Sequence, residues 1–154
     1  MGTQADTDKI TQCVKEMNEA EYVINTLLLH EFRNVLDDEI TTKQALLLNI
    51  VQKRQAATVR EIAEQMQVSS SAISQIVGKL EKSGYVRRDI NVNNRREILV
   101  RLGPQGETFF AKQEDVQKAI IERFYAKMEF AELQQMRDLM LKLKAVVEAE
   151  LGGG

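Results

Sequence analysis

A short segment near the middle of the chain, residues 69–82, combines an apolar stripe with a run of small hydrogen-bonding side chains. The apolar positions recur at helical spacing, which predicts a helix with one buried face. That buried face holds Ile73, Ile76, Val77 and Leu80. At about 100° per residue the opposite face holds Ser71, Gln75, Gly78 and Lys82, flanked by Ser70 and Ser74. Hydroxyl and amide groups over most of this face, where Glu and Lys are usual, indicate a surface that binds a partner.

The exposed face of this helix matches the chemistry of duplex DNA. The amide of Gln75 offers the donor–acceptor pair that fits adenine in the major groove, and serine hydroxyls can bind base edges. Lys79 and Lys82 suit phosphate contacts, as do the free amides at the helix start. Gly78 costs about 1 kcal/mol in a helix interior, which favours close approach to something. The alternative is that Ser70 and Ser71 only solvate a helix start.

The charge distribution also favours a polyanionic partner, although the whole chain is slightly acidic. Its formal net charge is −2 over 154 residues. Residues 69–102 hold seven basic and three acidic side chains, so this part alone carries +4. A local basic surface matters more than net charge when the ligand is a polyanion.

Helix start signals place a second helix just before this segment. Thr58 and Glu61 form one capping box, Thr41 and Gln44 form another, and Ser69 is the predicted N-cap of the segment itself. Only residues 67 and 68 separate the last two helices. Two short helices joined by a tight turn are typical of a helix-turn-helix.

A β-hairpin is predicted directly after the helix-turn-helix. Past Ser83-Gly84 the apolar period changes from 3.6 to 2 over residues 86–90, and alternation returns over residues 97–102. The turn-rich sequence NVNNR lies between the two strands and makes the tip basic. Gly103-Pro104 ends the second strand and begins a helix.

Long helices flank this central part. One is predicted over about residues 8–36, and two more run from residue 103 to the end. Their apolar stripes have little inside one chain to cover them, which predicts dimerisation. The predicted dimerisation residues are Ile10, Val14, Met17, Leu133, Met136, Met140, Leu143 and Val147. Alternatively, the Leu133–Val147 stripe packs only on the first helix of its own chain.

The run VSSSAISQIVGKLEKSGYVRRDINVNNRREILVRLGPQG resembles the core of the MarR family of winged helix-turn-helix transcription regulators. Motifs that carry the resemblance cover about residues 40–107. The resemblance implies that Arg96 enters the minor groove and that Arg95 makes a phosphate or second groove contact. The aspartate of the family's Asp-x-Arg wing motif is Asn94 here, which removes a charge that could orient the arginine.

This resemblance implies a mainly α fold with a small β-hairpin wing and long dimerisation helices. The expected domains are an N-terminal dimerisation helix over 1–39, the DNA-binding domain over 40–102 and C-terminal dimerisation helices over 103–151. The expected function is a homodimeric regulator, more often a repressor, that binds an inverted repeat in double-stranded DNA. A small-molecule effector is expected to release it. The alternative is a winged-helix protein-interaction module without specific DNA binding.

Other chemistries find little support in the sequence. One Cys and one His provide no readable catalytic or metal-ligand grouping, so no enzyme activity, metal or cofactor is expected. Cys13 lies on the apolar stripe and is expected in the core instead of acting as a peroxide sensor. The five Phe and Tyr residues of the C-terminal third are also expected in the core: Phe109, Phe110, Phe124, Tyr125 and Phe130. Without a signal peptide or an apolar run of membrane length, a cytoplasmic location is expected.

Overall fold

The computed structural model describes residues 4–36 and 39–152. Its six α-helices are α1 (Gln4–Phe32), α2 (Thr42–Arg54), α3 (Val59–Met66), α4 (Ser70–Lys82), α5 (Pro104–Arg123) and α6 (Phe130–Leu151). Its strands are β1 (Ala57–Thr58), β2 (Val86–Ile90) and β3 (Ile98–Leu102), and a 3-10 turn spans Tyr125–Lys127. The predicted fold class, mainly helical with a small β-hairpin, is confirmed.

Side-chain caps begin the helices where the sequence predicts. The Thr41 hydroxyl accepts a hydrogen bond from the Gln44 amide at 3.2 Å, and the Gln44 side chain accepts one from the Thr41 amide at 2.9 Å. Thr58 and Glu61 form the same reciprocal pair at 3.1 and 2.8 Å. Ser69 accepts from the backbone amide of Ala72 at 3.1 Å and starts α4. These caps satisfy backbone donors that have no partner inside the helix.

The sheet has one strand that periodicity does not predict. Its order is β1-β3-β2, and both pairings are antiparallel. The β2–β3 register sets Val86 opposite Leu102 and Ile90 opposite Ile98, as expected for the hairpin. The two-residue strand β1 pairs Ala57 with Val100. Two residues are too few to show an alternating pattern, so the sequence does not predict this strand.

The core lies inside residues 40–102, here called the winged unit, where α2, α3 and α4 pack against the sheet. Its largest fully buried side chains are Leu47, Leu48, Ile62, Ile73, Leu80, Val51, Val77 and Val100. Phe109 of α5 joins this core through an edge-on contact with Tyr85, with ring centroids 6.3 Å apart. Burying one face of α4 in this way leaves its serine and glutamine face exposed.

The terminal helices contrast with this core. The chain divides into two units, residues 1–114 and 115–154, while the predicted domain boundaries at 39 and 102 stay predictions. Helix α1 buries only Phe32 and ends four residues before the predicted residue 36, and α6 buries no residue. Within the single chain Cys13 is exposed, so its predicted core position is wrong there. Three of the aromatic residues expected in the core are also exposed: Phe124, Tyr125 and Phe130.

Candidate nucleic-acid interface

The exposed face of α4 presents side chains whose polar groups are free to bind a partner. Ser70, Ser71, Ser74 and Gln75 are all exposed. None of the four makes a side-chain hydrogen bond to another residue that the structure describes. A hydroxyl or amide that binds its own helix is not available to a base edge, so the lack of internal partners matters. The four remain predicted DNA contacts.

Each acidic side chain of residues 69–102 forms an ion pair or a hydrogen bond with a neighbouring side chain. The Glu81 carboxylate on α4 lies 3.2 Å from the Arg88 guanidinium on β2. Asp89 lies 3.0 Å from Arg101 and 3.7 Å from Arg87. These two carboxylates therefore partly offset the three arginines and present less repulsion to a polyanion.

The third acidic side chain of the region helps to close the wing loop. The side-chain amide of Asn91 donates to the Glu97 carboxylate at 2.9 Å, and its backbone amide donates to the Glu97 carbonyl at 3.0 Å. These contacts join the two ends of the loop, residues 91–97.

Two consecutive turns then shape the tip of the wing. The backbone amide of Asn94 donates to the Asn91 carbonyl at 3.2 Å, and the backbone amide of Glu97 donates to the Asn94 carbonyl at 2.9 Å. The side-chain oxygen of Asn94 accepts from the Arg96 amide at 3.3 Å, as an aspartate at this position also could. The replacement of the family's aspartate therefore removes a charge but keeps the backbone contact that orients residues 95 and 96.

The structure divides the seven cations of this region into two groups. Arg87, Arg88 and Arg101 are paired with carboxylates. The other four are exposed and have no carboxylate within 4.0 Å in the described part of the chain: Lys79, Lys82, Arg95 and Arg96. Two of them stand on α4 and two at the wing tip. The hairpin register sets Arg101 opposite Arg87 and diagonal to Asp89, whereas the contact between Arg88 and Glu81 joins β2 to α4 and needs the tertiary fold.

A shallow pocket of about 210 Å³ lies at the base of the wing. Its polar lining includes Gln52, Arg87, Arg101 and Glu107. The two arginines share Asp89, so the pocket carries no clear excess of charge for a ligand of one sign.

Residues 4–36 and 39–152 contain no group of three or more His, Cys, Asp or Glu side chains that could hold a metal ion. None of the described helices has the length and apolar character needed to cross a membrane.

Comparison with known proteins gives a consistent picture. Residues 40–98 match the model of the MarR family. The HTH-type transcriptional repressor MdtR of Bacillus subtilis is 29% identical over 111 residues, which cover 72% of each chain. The HTH-type transcriptional regulator FarR of Neisseria gonorrhoeae is 25% identical over 126 residues, which cover 79% of this chain and 84% of that protein.

Solved structures agree on the fold. The YusO protein of Bacillus subtilis has 25% identity and a TM-score of 0.68, covering 90% of this chain and 96% of its own. Streptococcus pneumoniae FabT, solved in complex with DNA, has 20% identity and a TM-score of 0.69, covering 88% and 98%. Family model, sequence relatives and fold agree. The chain is similar to MarR family transcription regulators, and the match to the family model covers residues 40–98.

Proposed function

We propose that this protein is a homodimeric repressor that binds an inverted repeat in duplex DNA through α4 and the wing. The observation that carries the proposal is the distribution of unpaired cations. Lys79 and Lys82 on α4, with Arg95 and Arg96 on the wing, have no carboxylate partner in the described structure. Cations that are free of internal partners can release counterions from DNA phosphates, and this supplies much of the affinity.

The two surfaces suit two different grooves. Helix α4 presents exposed Gln75 and serine side chains that can bind base edges in the major groove. The wing presents Arg96 on a narrow, closed turn, a shape that suits the minor groove, where A·T-rich DNA attracts arginine. We therefore assign base recognition to α4 and groove-width recognition to the wing.

Dimerisation is supported by the terminal helices. The predicted interface residues of α1 are exposed in the single chain, with Ile10 at 65% and Met17 at 58%. On α6, Leu143 is 53% exposed, and only Leu133 of the predicted stripe is half-buried. Apolar stripes of this length are stable in water when a partner covers them. A two-fold dimer would set two α4 helices about one DNA turn apart, which predicts an inverted-repeat site.

The repressor role rests on the relatives. MdtR is named a transcriptional repressor, and FabT was solved with DNA. Release by a small effector is carried from the family resemblance, and a cytoplasmic location follows from the proposed role.

Selection from a random duplex library tests the DNA site. We expect the bound sequences to contain an inverted repeat whose half-sites are about one helical turn apart. Recovery of no common sequence, together with salt-independent binding, would favour the protein-interaction module instead. A promoter carrying the selected site, transcribed in vitro, then tests repression directly.

Two variants separate the wing from the helix on the selected site. Arg96→Ala should weaken binding to cognate and scrambled duplexes alike and lower the slope of log K against log salt by about two per dimer. Gln75→Ala should lower cognate affinity by about 1–3 kcal/mol for each half-site and leave the salt slope unchanged. Equal losses on both duplexes for Gln75→Ala would move base recognition to Ser70, Ser71 and Ser74.

A further inference from the structure

The fold does not require the single glycine of α4, Gly78. Gly78 lies in a helical interior, where glycine is less stable than alanine. A Cβ atom built there would meet only the Arg88 guanidinium, at an ordinary 4.0 Å. Gly106 is the opposite case, because a Cβ there would collide with the carbonyl oxygen of Tyr85. The fold therefore requires glycine at 106 and tolerates a larger residue at 78.

The position of Gly78 on α4 suggests a role for glycine in DNA binding. At about 100° per residue Gly78 lies opposite the buried Ile73, within 40° of Lys82 and 60° of Gln75. It is half-buried on the face of α4 that points away from the core, one residue before Lys79 and beside the Arg88 guanidinium. The neighbouring Lys79 and Lys82 are cations without a carboxylate partner in the described chain. Because Gly78 has no side chain, the helix surface is recessed between the Gln75 amide and the ammonium groups of Lys79 and Lys82. DNA bound to these groups could approach the backbone closely there.

We propose that Gly78 is a positioning residue for DNA, at which a sugar–phosphate strand approaches the α4 backbone closely. This inference rests on the proposed function. The absent side chain allows the strand to reach Lys79 and Lys82 while Gln75 stays within reach of a base edge. Glycine is the only residue that leaves this space open, and it does so at the expense of helix stability.

Substitution at residue 78 should therefore move stability and binding in opposite directions. Gly78→Ala should raise the midpoint of thermal unfolding by about 2–4 °C, because alanine favours the helix. The same variant should bind the selected inverted repeat about tenfold or more weakly, because two contacts per dimer become overpacked. Gly106→Ala is the matched control for the glycine exchange, and its unfolding midpoint should fall.

Size separates a steric effect from a stiffer helix. Alanine and leucine have similar helix propensities, so Gly78→Leu should match Gly78→Ala in stability but bind DNA more weakly still. Cognate affinity that is unchanged in both variants, while the parent protein binds, would overturn the proposal and leave the proposed function intact. A parent protein that binds no specific duplex would contradict the proposed function itself.

The Arg88 guanidinium provides one further control, because it is the only described group near the new Cβ. If Gly78→Ala acts by displacing Arg88, it should cost nothing in an Arg88→Ala background, and close approach by DNA would be refuted. Under the proposal, the loss from Gly78→Ala persists in that background. A double-mutant cycle on the cognate duplex measures the difference.

Discussion

The winged unit and the terminal helices use their apolar residues in opposite ways. Residues 40–102 bury a continuous core, in which Leu47, Ile73 and Val100 are fully inaccessible. Helix α6 is longer than any helix of that unit, yet none of its residues is buried in the single chain. Composition does not account for the difference, since both regions contain several Leu and Val residues.

The difference shows where the free energy of folding comes from in each region. Helices α2, α3 and α4 are short, but three of them against a small sheet enclose a core within one chain. A single long helix can offer an apolar stripe but cannot enclose it. The winged unit can therefore be stable by itself, whereas the terminal helices depend on further helices, which we propose come from a second chain.

The largest expected effect comes from a charge in the terminal stripe. Leu143→Glu should abolish the dimer at micromolar concentration, because two-fold symmetry buries two unpaired carboxylates in an apolar interface. Light scattering measures the mass. Lys142→Glu, an exposed neighbour on the other side of α6, introduces the same residue and should remain dimeric. A monomeric parent protein would refute the proposed interface.

A cavity in the winged core should act differently. Ile73→Ala removes a fully buried side chain and should lower the free energy of unfolding by about 2–5 kcal/mol. In denaturant titrations of the winged unit, this loss should not vary with protein concentration, whereas the stability of the terminal helices should. Val92→Ala, at a side chain that is 89% exposed, should change stability by less than about 0.5 kcal/mol. A loss for Ile73→Ala as small as the control's would contradict the core assignment.

A smaller effect is expected from the ion pair between α4 and β2. Arg88→Ala leaves Glu81 unpaired beside the proposed DNA surface, and like charges at an interface are unfavourable. Affinity for the selected duplex should fall by about tenfold per dimer. Arg88→Ala combined with Glu81→Gln should recover most of that loss. Failure to recover would show that Arg88 itself contacts DNA.

The smallest effect concerns the cap of α3. A hydrogen bond from the Thr58 backbone amide holds the pKa of Glu61 below its ordinary 4.5; burial opposes this shift and the Arg54 charge reinforces it. Because the folded pKa is lowered, this stabilisation is present above about pH 4.5 and is lost as pH falls through the folded value. Glu61→Gln keeps the capping acceptor, so it should reduce the fall of the unfolding midpoint between about pH 5 and 3. Identical pH profiles for parent and variant would show that Glu61 does not contribute.

Local signals in the sequence were sufficient for most elements of the winged unit. The capping residues Thr41, Thr58 and Ser69 begin helices at the predicted positions, because a cap depends on residues only three apart. The β2–β3 hairpin follows from period-2 alternation and a turn-rich loop. The strand β1 did not, because two residues carry no period and pair only with a distant strand.

Burial and charge pairing needed the tertiary structure. Periodicity places Cys13 on an apolar face, and the aromatic character of Phe130 favours the core, but neither signal says whether anything covers these side chains. In the single chain nothing in the described structure buries them. The basic character of residues 69–102 is evident from the sequence. Which cations are free is decided by contacts between α4, β2 and β3, because an ion pair depends on distances between side chains far apart in the chain.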